Sequence, residues 1–154
     1  MSYWTVARLE PHRERLALHC LSLSGFVTYL PRLRERRIRA GRKTEVLAPL
    51  FPGYCFLTIE AQWHAARWSA GVLGLIMDGV GPARVPDAVI AEIRSRERGG
   101  LSAGEAVRVT AGPFTGHLAI FADTKPRERV EILLQLLGGE QRVTLATKDI
   151  EVVR

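Results

Sequence analysis

The segment Tyr54–Ile59 is apolar on both sides of a strand, and this constrains the fold more than any other feature of the chain. Side chains alternate across a strand, so Cys55, Leu57 and Ile59 share one face while Tyr54, Phe56 and Thr58 share the other. In an α/β sandwich the helices cover one face of the sheet. Tyr54 and Phe56, with Phe51 nearby, then need a second cover, either a partner or another part of the same chain. At 154 residues and 47% hydrophobic content, the chain has enough apolar material for one ordinary domain or two small ones.

The residues before this strand alternate in pattern. Residues 3–7 are rich in aromatic and β-branched side chains and read as a strand. Pro11 then opens a helical pattern with Leu16, His19, Cys20 and Leu23 on one face, which Gly25 ends. A second strand over residues 26–30 leads into a basic stretch, with Ala40-Gly41 as the turn between two arms and residues 46–48 starting the return. After Tyr54–Ile59 come a short helix over residues 61–70, closed by Gly71, and a strand over 73–77. Val85-Pro86-Asp87 starts a helix capped by Asp87, with Val89, Ile90 and Ile93 as its apolar stripe.

Two adjacent glycines followed by small residues cannot continue that helix, so residues 99–103 read as a linker between residues 1–98 and 104–154. The second unit has short strand-like runs at 106–110, 118–122, 130–136, 142–145 and 150–153, with turn signals at Gly112-Pro113, Pro126 and Gly138-Gly139. This spacing predicts a small barrel. Residues 130–137 are apolar under either period: the strand period selects Val130, Ile132, Leu134 and Leu136, and the helical period selects Val130, Leu133, Leu134 and Leu137. The short linker, Pro126 and Gly138-Gly139 weigh toward the strand.

The formal net charge of +6 sits entirely in residues 32–43, where Arg32, Arg34, Arg36, Arg37, Arg39, Arg42 and Lys43 face Glu35 alone. A long basic hairpin suits bidentate, sequence-independent contacts to nucleic-acid phosphates. Neutralising roughly five phosphates would give a log-log salt slope of about −4 to −5. A solvated charged hairpin is the plain alternative. Arg8, His12, Arg13 and Arg15 form a smaller basic group at the start of the first helix.

Other function classes find little support. The four histidines, His12, His19, His64 and His117, are scattered, and no nucleophile-base-acid set or glycine-rich phosphate loop occurs. No second pair completes a zinc set with His19 and Cys20. The expectation is therefore no enzyme, no metal and no cofactor. The longest apolar runs fall far short of the roughly 20 residues that span a bilayer. The N-terminal residues lack a signal-peptide pattern, and the two cysteines, Cys20 and Cys55, read as small core residues of a cytoplasmic protein.

The stretch PLFPGYCFL (residues 49–57) resembles the most recognisable part of the N-terminal (NGN) domain of the NusG-like transcription elongation factors, and GEAVRVTAGPFTG (residues 104–116) resembles their KOW module. Trp4-Thr5-Val6, Gly25-Phe26, Trp63, Val85-Pro86-Asp87 and Ile150-Glu151 also stand where that family has similar residues. The resemblance covers essentially the whole chain. It implies an α+β protein, an NGN-type sandwich over residues 1–98 followed by a KOW SH3-like β-barrel over 104–154. It further implies a monomeric transcription elongation or antitermination factor that docks on the clamp helices of RNA polymerase through Phe51, Tyr54 and Phe56 and suppresses pausing or termination. Arg13 and the hairpin residues Arg34, Arg36, Arg37, Arg39, Arg42 and Lys43 would touch upstream or non-template DNA. Phe114 would sit in the KOW contact loop that recruits a ribosomal protein or the Rho terminator.

Residues 81–90 and 116–123 look closer to the specialised RfaH-like branch, whose KOW domain switches between a helical hairpin and a barrel. Gln62-Trp63-His64-Ala65 and Ala70 depart from that branch where it carries a threonine-rich element and an arginine near the DNA. The rival expectation from another class is a ribosome-associated RNA-binding KOW protein.

Overall fold

The computed structural model describes residues 2–98 and 126–137. A four-stranded antiparallel sheet in the order β2-β5-β1-β6 forms its centre, built from β1 (Tyr3–Leu9), β2 (Thr28–Tyr29), β5 (Tyr54–Ile59) and β6 (Val72–Leu75). Strands β1 and β5 pair over the full run from Tyr3↔Ile59 to Arg8↔Tyr54. This register keeps the alternation of both strands in phase. Val6 and Phe56 enter one buried cluster, while Ala7, Cys55 and Leu57 enter the other. Burial pushes the Cys55 thiol up to about 12, in keeping with a small core residue.

Helices α1 (Glu14–Leu23) and α2 (Trp63–Arg67) cover the Cys55 side through Ala17, Leu21 and Ala66. The buried face of α1 differs from the one expected: Leu16 and Leu23 stay 41% and 75% exposed, while Ala17 and Leu21 are fully buried. The cause is a close approach of backbone to backbone. At Gly71 (φ +83°) an added Cβ would lie 2.9 Å from the Ala17 Cβ, so only alanine on the helix and glycine on the loop fit that crossing. Apolar spacing alone favoured the leucines, but size selected the face. The helix ends as expected at Gly25 (φ +89°), with Gly25 N–H donating to Ser22 O and Phe26 N–H to Leu21 O, the paired bonds of a Schellman stop.

Helix α3 (Asp87–Arg98) covers the opposite face with Val89, Ile90 and Ile93, the expected stripe. The basic hairpin is present as β3 (Arg32–Arg39) and β4 (Arg42–Pro49), joined at Ala40 (φ 51°) and Gly41 (φ 75°). Positive φ at both loop residues is what a two-residue turn of this hand requires. A small ribbon of β7 (Met77–Asp78) and β8 (Gly81–Pro82) leads back toward α3.

The remaining element corrects an expectation. Residues 130–136, read as a barrel strand, lie in a helix, α4 (Pro126–Leu137). Its buried positions Leu133 and Leu137, with Val130 packed beside them, follow the helical period and not the strand period. Pro126 opposes a helix only in its interior. At the first helical position its missing N–H has no intrahelical partner to lose and its φ is already suitable. The other expected barrel strands, the linker 99–103 and Phe114 lie outside the described residues.

Replacing Gly71 with alanine is expected to lower stability by about 1–3 kcal/mol, through overpacking and a strained backbone. Gly74→Ala on β6, with nothing within 4 Å of the new Cβ, should be close to neutral. Thermal denaturation of the two variants beside the parent checks the contrast.

Candidate functional site

The FPGY motif folds as a turn. Pro52 and Gly53 (φ +83°) take its two central positions, and Tyr54 N–H donates to Phe51 O at 3.1 Å. Proline then a positive-φ glycine suits a type II turn, which returns the chain from the hairpin into β5. The turn delivers Phe51 and Phe56 to one cluster, their rings edge to face at 5.9 Å and 84°. Tyr54 packs against the same cluster and stays half-buried. The three residues expected to form a docking surface are therefore brought together on one side of the sheet.

That side is covered by the chain itself. Leu133 and Leu137 of α4 join Phe51, Phe56, Leu33 and Leu50 in one buried cluster, leaving Phe51 and Phe56 1% exposed. Fully burying a leucine contributes roughly 1.5–3 kcal/mol. The cover also carries a charge. Arg129 is 1% exposed; its Nε–H donates to the Leu50 carbonyl at 2.8 Å, and its Nη2 lies 3.6 Å from Glu35 Oε1. Desolvation by burial lowers the Arg129 pKa, and Glu35 opposes that shift. Glu35 Oε2 also accepts from Arg37 at 3.2 Å, so one carboxylate on the hairpin serves an exposed and a buried guanidinium.

A second aromatic group extends the face. Tyr29 on β2 stacks on Phe56 at 6.2 Å, and Arg94 of α3 lies over both Trp4 and Tyr29 at 5.3 and 4.7 Å. The Tyr29 hydroxyl donates to Glu97, and its pKa is raised, by burial first and by Glu97 second. Leu33, Leu50, Tyr29 and Arg129 were not singled out from the sequence. The apolar positions Val130, Leu133 and Leu137, together with a proline able to start a helix, were the available signal.

The basic residues fall into separate groups. Arg34, Arg36, Arg37, Arg39, Arg42 and Lys43 are all exposed on the hairpin. Arg13 stands apart at the start of α1, exposed and 3.4 Å from Glu10. Among the described residues no group of His, Cys, Asp and Glu is arranged to hold a metal ion, and no helix is long and apolar enough to cross a membrane.

Comparison with known proteins now places the fold. The family model "NusG: Transcription termination factor nusG" matches residues 2–94, so the described sheet, its helices and the hairpin lie almost wholly inside the match. The chain belongs to the NusG family. It is 28% identical over 131 residues to the transcription termination/antitermination protein NusG of Deinococcus radiodurans, covering 68% of this chain and 69% of that one. It is 27% identical over 141 residues to the protein of the same name from Thermus thermophilus, covering 78% and 77%. A solved structure titled "Domain interaction in Thermotoga maritima NusG" is 20% identical, covers 73% of this chain and 67% of that chain, and gives a TM-score of 0.42. Factors of this family act in transcription and are not enzymes.

Glu35→Gln should weaken the seating of α4 by about 1–3 kcal/mol, because it removes a carboxylate that lies 3.6 Å from a buried guanidinium. Arg129→Met removes the charge and keeps the volume, so it should cost less. Hydrogen exchange of the α4 amides measures both, and greater protection loss in the methionine variant would contradict this account.

Proposed function

We propose that this protein is a transcription elongation and antitermination factor that docks on the clamp helices of RNA polymerase through Phe51, Tyr54 and Phe56, with α4 leaving that face when the polymerase takes it. The single observation that carries this reading is that an aromatic face joined by the FPGY turn is covered by a helix of the same chain. Leucine burial favours the cover, and desolvation of Arg129, an opposing cost of several kcal/mol, limits how tightly it holds. A cover balanced in this way can be exchanged for a partner of matching shape.

Clamp docking would hold the polymerase in its processive form and disfavour paused or terminating states. The hairpin would contact upstream or non-template DNA, with Arg13 as a separate contact, and residues 104–154 would recruit further factors, a ribosomal protein or Rho, through Phe114. Names carried by the Deinococcus and Thermus relatives, transcription termination/antitermination proteins, support the same assignment.

Retention of RNA polymerase by the tagged full-length chain tests it. Leu133→Glu, which places a charge under the cover, should increase retention by about tenfold, the factor that corresponds to 1.4 kcal/mol. Tyr54→Ala should reduce it in either background. If Tyr54→Ala retains polymerase as the parent does, and the protein sediments with ribosomal particles instead, the polymerase reading is wrong.

A further inference from the structure

The basic hairpin is two surfaces, and strand register separates them. Directly opposed residues of an antiparallel pair share a face. Arg36↔Glu45, Arg34↔Leu47 and Arg32↔Pro49 therefore lie on one side with Ile38↔Lys43. Leu33↔Ala48, Glu35↔Val46, Arg37↔Thr44 and Arg39↔Arg42 lie on the other. The second side is the inner one: Leu33 and Ala48 are buried, and Glu35 reaches Arg129 beneath α4. The first side points away, with Leu47 63% and Ile38 75% exposed.

The charges on the two sides differ in availability. On the inner side Glu35 takes Arg37 into an ion pair, which leaves Arg39 and Arg42 at the very tip. On the outer side Arg32, Arg34, Arg36 and Lys43 are exposed, and none of them forms a salt bridge among the described residues. Successive outer arginines are two residues apart, about 6.7 Å along a strand, close to the step between phosphates of an extended nucleic-acid chain. Net charge differs little between the faces, four cations against the exposed Glu45 outside and three against Glu35 inside, so it is the ion pairing of Glu35 with Arg37 and Arg129 that sets the outer cations apart. Ile38 and Leu47 stand between the cations and suit sugars or base edges better than bulk water.

We infer that the outer face of the hairpin, Arg32, Arg34, Arg36 and Lys43, is a phosphate ladder for a nucleic-acid backbone, and that it is open whether or not α4 covers the docking face. This rests on the nucleic-acid part of the proposed function and narrows it. Three or four phosphate contacts replace the five expected from the charge count, so the salt slope falls to about −3 on a duplex. Because phosphate contacts position without reading bases, the ladder would fix register and not sequence.

Two variants with the same net charge decide the matter. Full-length Arg34→Gln/Arg36→Gln and Arg39→Gln/Arg42→Gln are titrated with a labelled duplex of mixed sequence and with its single strand, across a range of potassium chloride. The outer variant should lose about tenfold in affinity at low salt and about two units of slope, and the inner variant less than about twofold. Leu133→Glu should bind as the parent does. Preference for the duplex or for the single strand identifies which form the ladder accepts, and either supports it. Equal losses in the two double variants, or a clear gain in Leu133→Glu, would overturn the face assignment while leaving a nucleic-acid-binding hairpin intact. If the parent binds neither probe at low salt, the nucleic-acid reading of the hairpin falls too, whereas retention of polymerase is measured independently and is untouched.

Discussion

Strand β5 lies between β2 and β1, and its side chains are apolar on both faces, so the sheet cannot be finished by covering one side. The Cys55 face is closed by α1 and α2 at close range, where Gly71 admits Ala17. The Phe56 face is wider. Helix α3 covers part of it with Val89, Ile90 and Ile93, and the area around Phe51, Leu33 and Leu50 is left for α4. The two faces also differ in their covers: one is locked by a contact with no room for a Cβ, and the other is closed by side chains that include a buried charge.

That charge is informative because hydrophobic cover does not need it. An apolar residue in place of Arg129 would avoid desolvating a guanidinium, and buried ion pairs often add little net stability. What the Arg129 contacts to Leu50 O and Glu35 do supply is position, since each is directional where leucine packing is not. Helix α4 is thereby registered against the hairpin root and the turn that carries Phe51. The same arrangement makes the cover conditional, because loss of either contact removes part of what offsets the desolvation of a buried cation.

Much of this was legible in the sequence, and what was not has physical causes. The alternation of Tyr54–Ile59 correctly divided the core, and the stripe Val89, Ile90 and Ile93 correctly faced it. The FPGY turn and the hairpin tip followed from glycine at positions of positive φ. The buried face of α1 was misjudged because leucine spacing outweighed a steric limit set by Gly71, distant in sequence. Helix α4 was misjudged because residues 130–137 satisfy both periods, so the outcome depends on whether an apolar face elsewhere is available to receive them. No local pattern contains that information. The need was visible from β5, which required a second cover, but the residue that fixes the cover in place, Arg129, looks like any surface arginine until Leu50 O and Glu35 are brought to it.

The hairpin joins the two interfaces without merging them. Along β3, odd-numbered residues Leu33 and Glu35 turn toward the core and α4, and even-numbered residues Arg32, Arg34 and Arg36 turn to solvent. A period of two thus assigns the apolar interface and the charged one to opposite sides of a single ribbon. Moving α4 changes what Leu33 and Glu35 touch and leaves the outer cations where they are. Electrostatic attraction reaches further than apolar contact, over about a Debye length of 8–10 Å at physiological salt. In the proposed docking, a chain with its aromatic face still covered would present its charge first, and the short-range exchange of α4 for a partner would follow once the hairpin had brought the two surfaces close.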